Sequence, residues 1–161
     1  MARLANSVVL AGALFASVAT QQIAASPEIL AVPCRVSKTL THPVPGRPTF
    51  NFGNARIAVA LPGGARFVAI PDGSPRGGQA FIQRDGWIRT KLGWFTPRVT
   101  PRVTGRRTDG TGRALRVDMG VRSYASGPFY PSLLYFPSLG CWRITATAGG
   151  SHLVAIVNVR R

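Results

Sequence analysis

A threonine- and arginine-rich repeat is the part of the sequence whose residue types and spacing are suited to binding chemistry. The tetrapeptide Thr-Pro-Arg-Val occurs twice in succession from residue 96 to residue 103, and a further Thr-Gly-Arg-Arg follows at once. In an extended chain alternate side chains lie on one side, so Arg98, Arg102 and Arg106 are expected to form a row with a spacing of about 13 Å. Guanidinium groups pair with phosphates, sulfates and carboxylates. The predicted anion-binding residues are therefore these three arginines and Arg107.

The same segment is predicted to lie at the edge of a sheet. Pro97 and Pro101 have no backbone N–H to donate to a ladder, and proline within sheets is confined largely to edge strands. Val99 and Val103 are expected to face away from the arginine row. An alternative role of the charge is to protect this edge from pairing with another chain. The pattern leaves anion binding and edge protection open.

The composition is strongly basic. The chain has 20 lysine and arginine residues against five aspartate and glutamate residues, which gives a formal net charge of +15. Such a charge attracts polyanions by steering and counterion release. The expected partners are teichoic acid, lipopolysaccharide, anionic lipid or extracellular DNA. The alternative function is a structural or protein-interaction domain of the cell envelope in which the charge is incidental.

The sequence does not predict an enzyme. His42 and His152 are the only histidines, and neither has a cysteine, serine or carboxylate at the spacing of a metal site or catalytic triad. Asp72, Asp85 and Asp109 each precede a glycine, where turn formation explains them. We therefore expect no catalytic residue, metal or cofactor. A small envelope hydrolase with a pair of acidic residues is the least favoured alternative.

The beginning of the chain predicts export. Arg3 supplies a positive charge, and residues 7–18 form an uncharged apolar run that suits a signal peptide and is short for a membrane span. Small residues allow cleavage after Ala19 or after Ala25, and we assign residues 1–25 to a signal-peptide helix. Retention of this helix as an anchor is the alternative. The expected location is secreted, extracellular or in the cell envelope.

Cysteine usage is consistent with export. Cys34 and Cys141 are the only cysteines. An even number of cysteines in an exported chain favours a disulfide, and this one would close almost the whole domain. Two unpaired buried thiols are the alternative. The absence of a Cys-x-x-Cys motif argues against a thioredoxin-like redox site.

The rest of the chain predicts an all-β domain. Residues 26–50 are rich in proline and are expected to be extended, whereas residues 51–161 contain short alternating runs separated by glycine and proline turns. About seven to nine short strands with this spacing are typical of an immunoglobulin-like antiparallel β-sandwich. We assign residues 51–161 to that domain.

The last strands form the clearest predicted element, a β-hairpin around Gly149 and Gly150. If Ala148 lies opposite Ser151, one face of the hairpin is entirely apolar and packs on a core. The core residues predicted on this face are Trp142, Ile144, Ala146, Leu153, Ala155 and Val157.

The segment Phe136-Pro137-Ser138-Leu139-Gly140-Cys141-Trp142-Arg143-Ile144-Thr145 carries a family resemblance. It resembles the end of uncharacterised exported bacterial proteins, some of them lipoproteins, that finish in an "FPxxGCWxVTG" hairpin. Shorter matches occur at residues 48–50, 61–64, 91–95 and 105–110. The resemblance implies a secreted immunoglobulin-like domain without catalytic residues. Arg143 stands where that family often has an acidic residue, which makes a basic surface more pronounced here.

Overall fold

The computed structural model describes residues 33–41, 44–71, 79–124 and 129–161, which form ten strands and one short 3-10 turn. The predicted all-β class is confirmed for these residues. The predicted signal peptide lies outside them. The strands are β1 (Phe52–Gly53), β2 (Ala58–Ala60), β3 (Arg66–Pro71), β4 (Gln79–Ile82), β5 (Ile88–Phe95), β6 (Arg102–Arg107), β7 (Arg116–Met119), β8 (Tyr130–Phe136), β9 (Gly140–Ala148) and β10 (Ser151–Arg160).

The ten strands belong to one mixed sheet. Eight of them follow the order β1-β2-β5-β4-β3-β10-β9-β6, while β8 pairs with β5 and β7 pairs with β8. Most pairs are antiparallel, but β3 runs parallel to both β4 and β10. The expectation of a purely antiparallel sheet was therefore wrong. Alternation of apolar side chains along a strand is the same whichever way its neighbour runs, so the sequence pattern did not carry this information.

The two outer regions of the sheet approach each other. β6 stands at the end of the strand order, and the N–H of Leu115, just before β7, donates to the carbonyl oxygen of Gly105 over 2.9 Å. A Cβ atom on Gly105 would lie 2.7 Å from Cδ2 of Leu115. Only glycine allows this close approach, which brings the β6–β7 loop against the surface of β6.

The core consists of side chains from both halves of the sheet. The ring of Phe136 lies 5.4 Å from that of Trp142 and 6.3 Å from that of Phe67, between ring centroids. Both buried indoles have hydrogen-bond partners: Trp142 Nε1 donates to the carbonyl oxygen of Ser138, and Trp94 Nε1 donates to Oγ of Ser132. Such burial is stable because each polar atom of the ring is satisfied.

The predicted terminal hairpin is confirmed in its register. Ala148 lies opposite Ser151, and the pairs Trp142–Val157, Ile144–Ala155 and Ala146–Leu153 follow. All six apolar residues are buried. Gly149 and Gly150 have φ values of 52° and 78°, the left-handed conformation that a two-residue hairpin turn of this kind requires.

The predicted disulfide is also present. Cys34 and Cys141 are joined by an S–S bond of 2.02 Å that links positions 107 residues apart. Beyond it, the N–H of Ser37 donates to the carbonyl oxygen of Ile156, and the N–H of Ile156 donates to Oγ of Ser37. The disulfide and these hydrogen bonds hold the segment after Cys34 against β10.

Candidate anion-binding face

β6 presents part of the predicted arginine row to solvent. Arg102, Thr104 and Arg106 are exposed, whereas Val103 and Gly105 between them are buried. This alternation follows from the period of two in an extended strand. The predicted edge position of the strand is confirmed by its place at the end of the strand order.

Arg98 does not belong to this row, so the prediction of three aligned arginines was wrong. Residues 97–99 form a bend before β6, in which the hydroxyl of Thr96 donates to the carbonyl oxygen of Val99. A side-chain hydrogen bond of this kind competes with extended structure. Val99 is 47% exposed rather than turned inward. Arg98 lines a separate cleft beside the β9–β10 turn.

The neighbouring strand β9 supplies three more outward side chains. In the antiparallel register Arg106 lies opposite Arg143, Thr104 opposite Thr145, and Arg102 opposite Thr147. We call this group of six the Arg–Thr face. Its members are Arg102, Thr104, Arg106, Arg143, Thr145 and Thr147. Sequence reasoning had not selected Arg143 as a binding residue, because only the pairing of β6 with β9 brings it next to Arg106.

The charge of the Arg–Thr face is uncompensated. Like charges directly opposite each other on adjacent strands repel and destabilise a sheet. In the parts of the chain that the structure describes, the single ion pair joins Arg107 to Asp109 and includes neither Arg106 nor Arg143. The other described acidic residues are Asp85, in the turn before β5, and Asp118, on β7. Neither strand of the face carries a carboxylate.

Arg107 has a structural environment that differs from the other predicted arginines. Its Nε and one Nη donate to the carboxylate of Asp109, and its other Nη donates to Oγ of Ser138 and to the carbonyl oxygen of Leu139. Four of its five N–H groups are thus engaged. Gly140 makes room, since a Cβ there would lie 3.0 Å from the guanidinium. Arg107 therefore connects the β6–β7 loop to the β8–β9 turn.

This contact perturbs both ionisable groups. Hydrogen bonds from the Arg107 side chain, and then from the backbone and hydroxyl of Thr111, hold the pKa of Asp109 well below its usual range. The hydrogen bond to Asp109 also raises the pKa of Arg107, against the opposing effect of its partial burial. The loop between β6 and β7 is consequently anchored by charge-assisted hydrogen bonds at neutral pH.

An open cleft of about 530 Å³ lies over the part of the Arg–Thr face that contains Arg106 and Arg143. Arg106 and Arg143 line it together with Thr104 and Thr145, and Leu115 and the β6–β7 loop form the remaining wall. Guanidinium N–H groups and threonine hydroxyls are hydrogen-bond donors that suit oxyanions. The arrangement can bind phosphate, sulfate or carboxylate groups without any covalent step.

Among the described residues no group of three histidine, cysteine, aspartate or glutamate side chains is placed to hold a metal ion. No helix in the described part of the chain is long and apolar enough to cross a membrane. Comparison with protein-family models, curated proteins and solved structures finds no match to this chain.

Proposed function

We propose that this protein is a secreted, non-enzymatic β protein that binds an anionic polymer of the cell envelope or extracellular space through the Arg–Thr face. The observation that carries the proposal is the cross-strand pair of Arg106 and Arg143 without a carboxylate on either strand. An oxyanion between two guanidinium groups converts their mutual repulsion into attraction. The arrangement is thus more stable with its ligand than without it.

The shape of the face favours a polymer over a single ion. Arg102 and Arg106 lie four residues apart on one strand, which corresponds to about 13 Å along an extended chain. Thr104 lies between them, and Thr145 and Thr147 extend the row of hydroxyls onto β9. Repeated anionic groups along a chain can therefore contact successive donors, and each arginine that neutralises one of them releases counterions.

Export and the finer fold are parts of the same proposal. The predicted signal peptide, the resemblance to exported bacterial proteins and the Cys34–Cys141 disulfide support a location outside the cytoplasm, because such bonds persist in oxidising compartments. The immunoglobulin-like arrangement is proposed from the resemblance and from the confirmed terminal hairpin.

The second candidate function is a structural or protein-interaction domain of the cell envelope with incidental charge. The edge position of β6 favours it, because exposed arginines on an edge strand prevent pairing with other chains. This alternative predicts that binding of polyanions is weak, unselective and lost as salt rises. It also predicts a protein partner whose affinity changes little with salt.

A salt series distinguishes the two. Binding to lipoteichoic acid, lipopolysaccharide, anionic vesicles and DNA is measured at several salt concentrations. The wild type is compared with a variant in which Arg102, Arg106 and Arg143 are replaced by serine. If the face contacts the polymer, the negative slope of log K against log salt becomes shallower by about three in this variant, because three cationic contacts are lost.

The matched control replaces three exposed arginines outside β6 and β9, namely Arg35, Arg56 and Arg161, and removes the same charge. We expect this control to retain the wild-type slope and most of the affinity for the preferred polymer. Equal losses in the two triple variants would show that net charge rather than the face is responsible. No binding by the wild type at physiological salt would overturn the proposal.

A further inference from the structure

A second cleft lies where three turns of the chain meet. It has a volume of about 360 Å³ and is formed by the β4–β5 turn, the β6–β7 loop and the β8–β9 turn. The side chains that carry its chemistry are Asp85, Trp87, Arg113 and Ser138. Converging turns on a rigid sheet are a common location for binding residues.

Trp87 is the tryptophan that differs from the other two. Trp94 and Trp142 are 1% and 0% exposed, whereas Trp87 is only partly buried and lines the cleft. Its backbone N–H donates to Oδ1 of Asp85, which fixes the turn, and the guanidinium of Arg116 lies 5.5 Å from the centroid of its ring. The indole is therefore held in place before any ligand arrives, which lowers the entropic cost of binding.

Arg116 is itself positioned by a second aromatic ring. Its guanidinium carbon lies 3.9 Å from the centroid of Tyr135, which is buried on β8 opposite Arg116 in the register of β7. The contact is a close cation–π interaction. Arg116 therefore links the indole ring of Trp87 to Tyr135 of the sheet, and this contact restricts the orientation of the indole.

Part of the hydrogen-bonding capacity of the cleft remains available to a ligand, since Oδ1 of Asp85 already accepts from the N–H of Trp87 and Oγ of Ser138 accepts from Arg107. Asp85 and Arg113 line the same cleft without forming an ion pair, since the only such pair in the described residues is that of Arg107 and Asp109. The hydroxyl of Ser138 lies at the cleft wall. An apolar ring beside a carboxylate acceptor and a guanidinium donor suits a pyranose ring, whose C–H face packs on the indole while its hydroxyls bond to both charged groups.

The two clefts are neighbours. Arg107 lines the first cleft, and its Nη donates over 3.1 Å to Oγ of Ser138, which lines the second. Gly110 and Gly112 of the same loop line the first and the second cleft respectively. The two clefts are therefore joined through the Arg107–Ser138 hydrogen bond and the β6–β7 loop, so a polymer bound in the first cleft can extend towards the second.

We infer that the ligand is an acidic polysaccharide. One of its sugar rings packs against Trp87, and the carboxylate or sulfate of a nearby sugar binds to Arg106 and Arg143. This inference rests on the proposed function for the binding of acidic groups by Arg106 and Arg143, and it adds the class of polymer. The charges of Asp85 and Arg113 cancel, so the cleft favours a ring without its own charge beside an acidic one. Polyphosphate offers no such ring.

Quenching of tryptophan fluorescence by acrylamide tests the inference directly. Acrylamide is uncharged and reaches Trp87 far better than the buried Trp94 and Trp142. The protein is titrated at physiological salt with hyaluronan, alginate, heparin, polyphosphate, single-stranded oligo-dT and neutral dextran. We expect hyaluronan, in which an uncharged ring alternates with an acidic one, to protect Trp87 from quenching, and polyphosphate to bind without protecting it. Alginate, in which every ring is acidic, and dextran, in which none is, are expected to protect Trp87 less.

Two variants locate the contact. Replacement of Trp87 with alanine removes the indole ring and is expected to weaken the protecting polysaccharide by about tenfold, the loss typical of a buried aromatic contact at an interface. Trp87→Phe keeps a ring and is expected to recover most of that affinity. Neither substitution is expected to change the affinity for polyphosphate, and the melting temperatures of both variants are measured to check that the fold is retained.

The outcomes separate this inference from the proposed function. If polyphosphate binds through the Arg–Thr face and no polysaccharide protects Trp87, the inference is overturned while the proposed function stands. Protection of Trp87 by oligo-dT alone, together with weaker binding of oligo-dT by Trp87→Ala, overturns it in favour of a nucleic acid. If none of the anionic polymers binds, both fail.

Discussion

The disulfide gives the most quantitative prediction of stability. Replacement of Cys34 and Cys141 by serine opens a covalent loop of 107 residues. In the chain-entropy model a loop of about 100 residues restricts the unfolded chain by an amount worth about 4.7 kcal/mol at 25 °C, and measured losses are commonly about 2–4 kcal/mol. We therefore expect the double variant to lose about 2–4.7 kcal/mol of unfolding free energy.

This loss is large enough to measure by thermal unfolding. In a domain of this size each kcal/mol shifts the midpoint by about 3–5 °C, so Tm is expected to fall by roughly 6–24 °C. The hydrogen bonds between Ser37 and Ile156 remain possible in the variant, so the fold is retained below the new midpoint. Urea unfolding gives an independent value, and the amides of Ser37 and Ile156 should exchange faster with solvent because their segment loses its covalent tether.

Reduction of the wild type supplies the matched control. A reductant is expected to lower the midpoint of the wild type to that of the Cys34→Ser, Cys141→Ser variant and to leave the variant unchanged. A midpoint of the variant within about 3 °C of the oxidised wild type would refute the reasoning, because it would mean that the bond restricts the unfolded chain far less than its loop length requires.

Two further substitutions test the elements that shape the candidate face. Gly105→Ala places a Cβ 2.7 Å from Leu115 and is expected to cost about 1–3 kcal/mol in urea unfolding, whereas Gly93→Ala meets its nearest side-chain atom at 3.4 Å and should be nearly neutral. Equal effects would contradict this account of β6. Asp109→Asn removes a carboxylate whose pKa is lowered by Arg107, so its stabilisation is present above pH 4 and is lost as pH falls further. The variant should unfold more easily at pH 7 and lose less stability between pH 4 and pH 2, and an unchanged acid profile would refute this.

The features that followed from the sequence are those set by neighbours along the chain. Two adjacent glycines favour a tight turn, and alternation on both sides of it defined the register of β9 with β10 to the residue. With two cysteines in the whole chain, only one intramolecular disulfide was possible. The alternation of Arg102, Thr104 and Arg106 also follows from neighbours along the chain. The predicted alternation does not extend back to Arg98, because the hydroxyl of Thr96 donates to the carbonyl oxygen of Val99 and forms a bend there.

Tertiary structure decided the features that depend on which strands are neighbours. Backbone hydrogen bonds between strands are the same for every residue type. The residue pattern of a strand therefore does not determine which strand it pairs with, or whether that pair is parallel or antiparallel. Only the fold sets Arg143 opposite Arg106 and lays β3 parallel to β10. The hydrogen bonds from Arg107 to the β8–β9 turn likewise join distant positions of the chain, as does the Trp87 cleft. By itself the sequence determined the class of fold, its terminal hairpin, its single disulfide and its charge, whereas long-range pairing determined where that charge is concentrated.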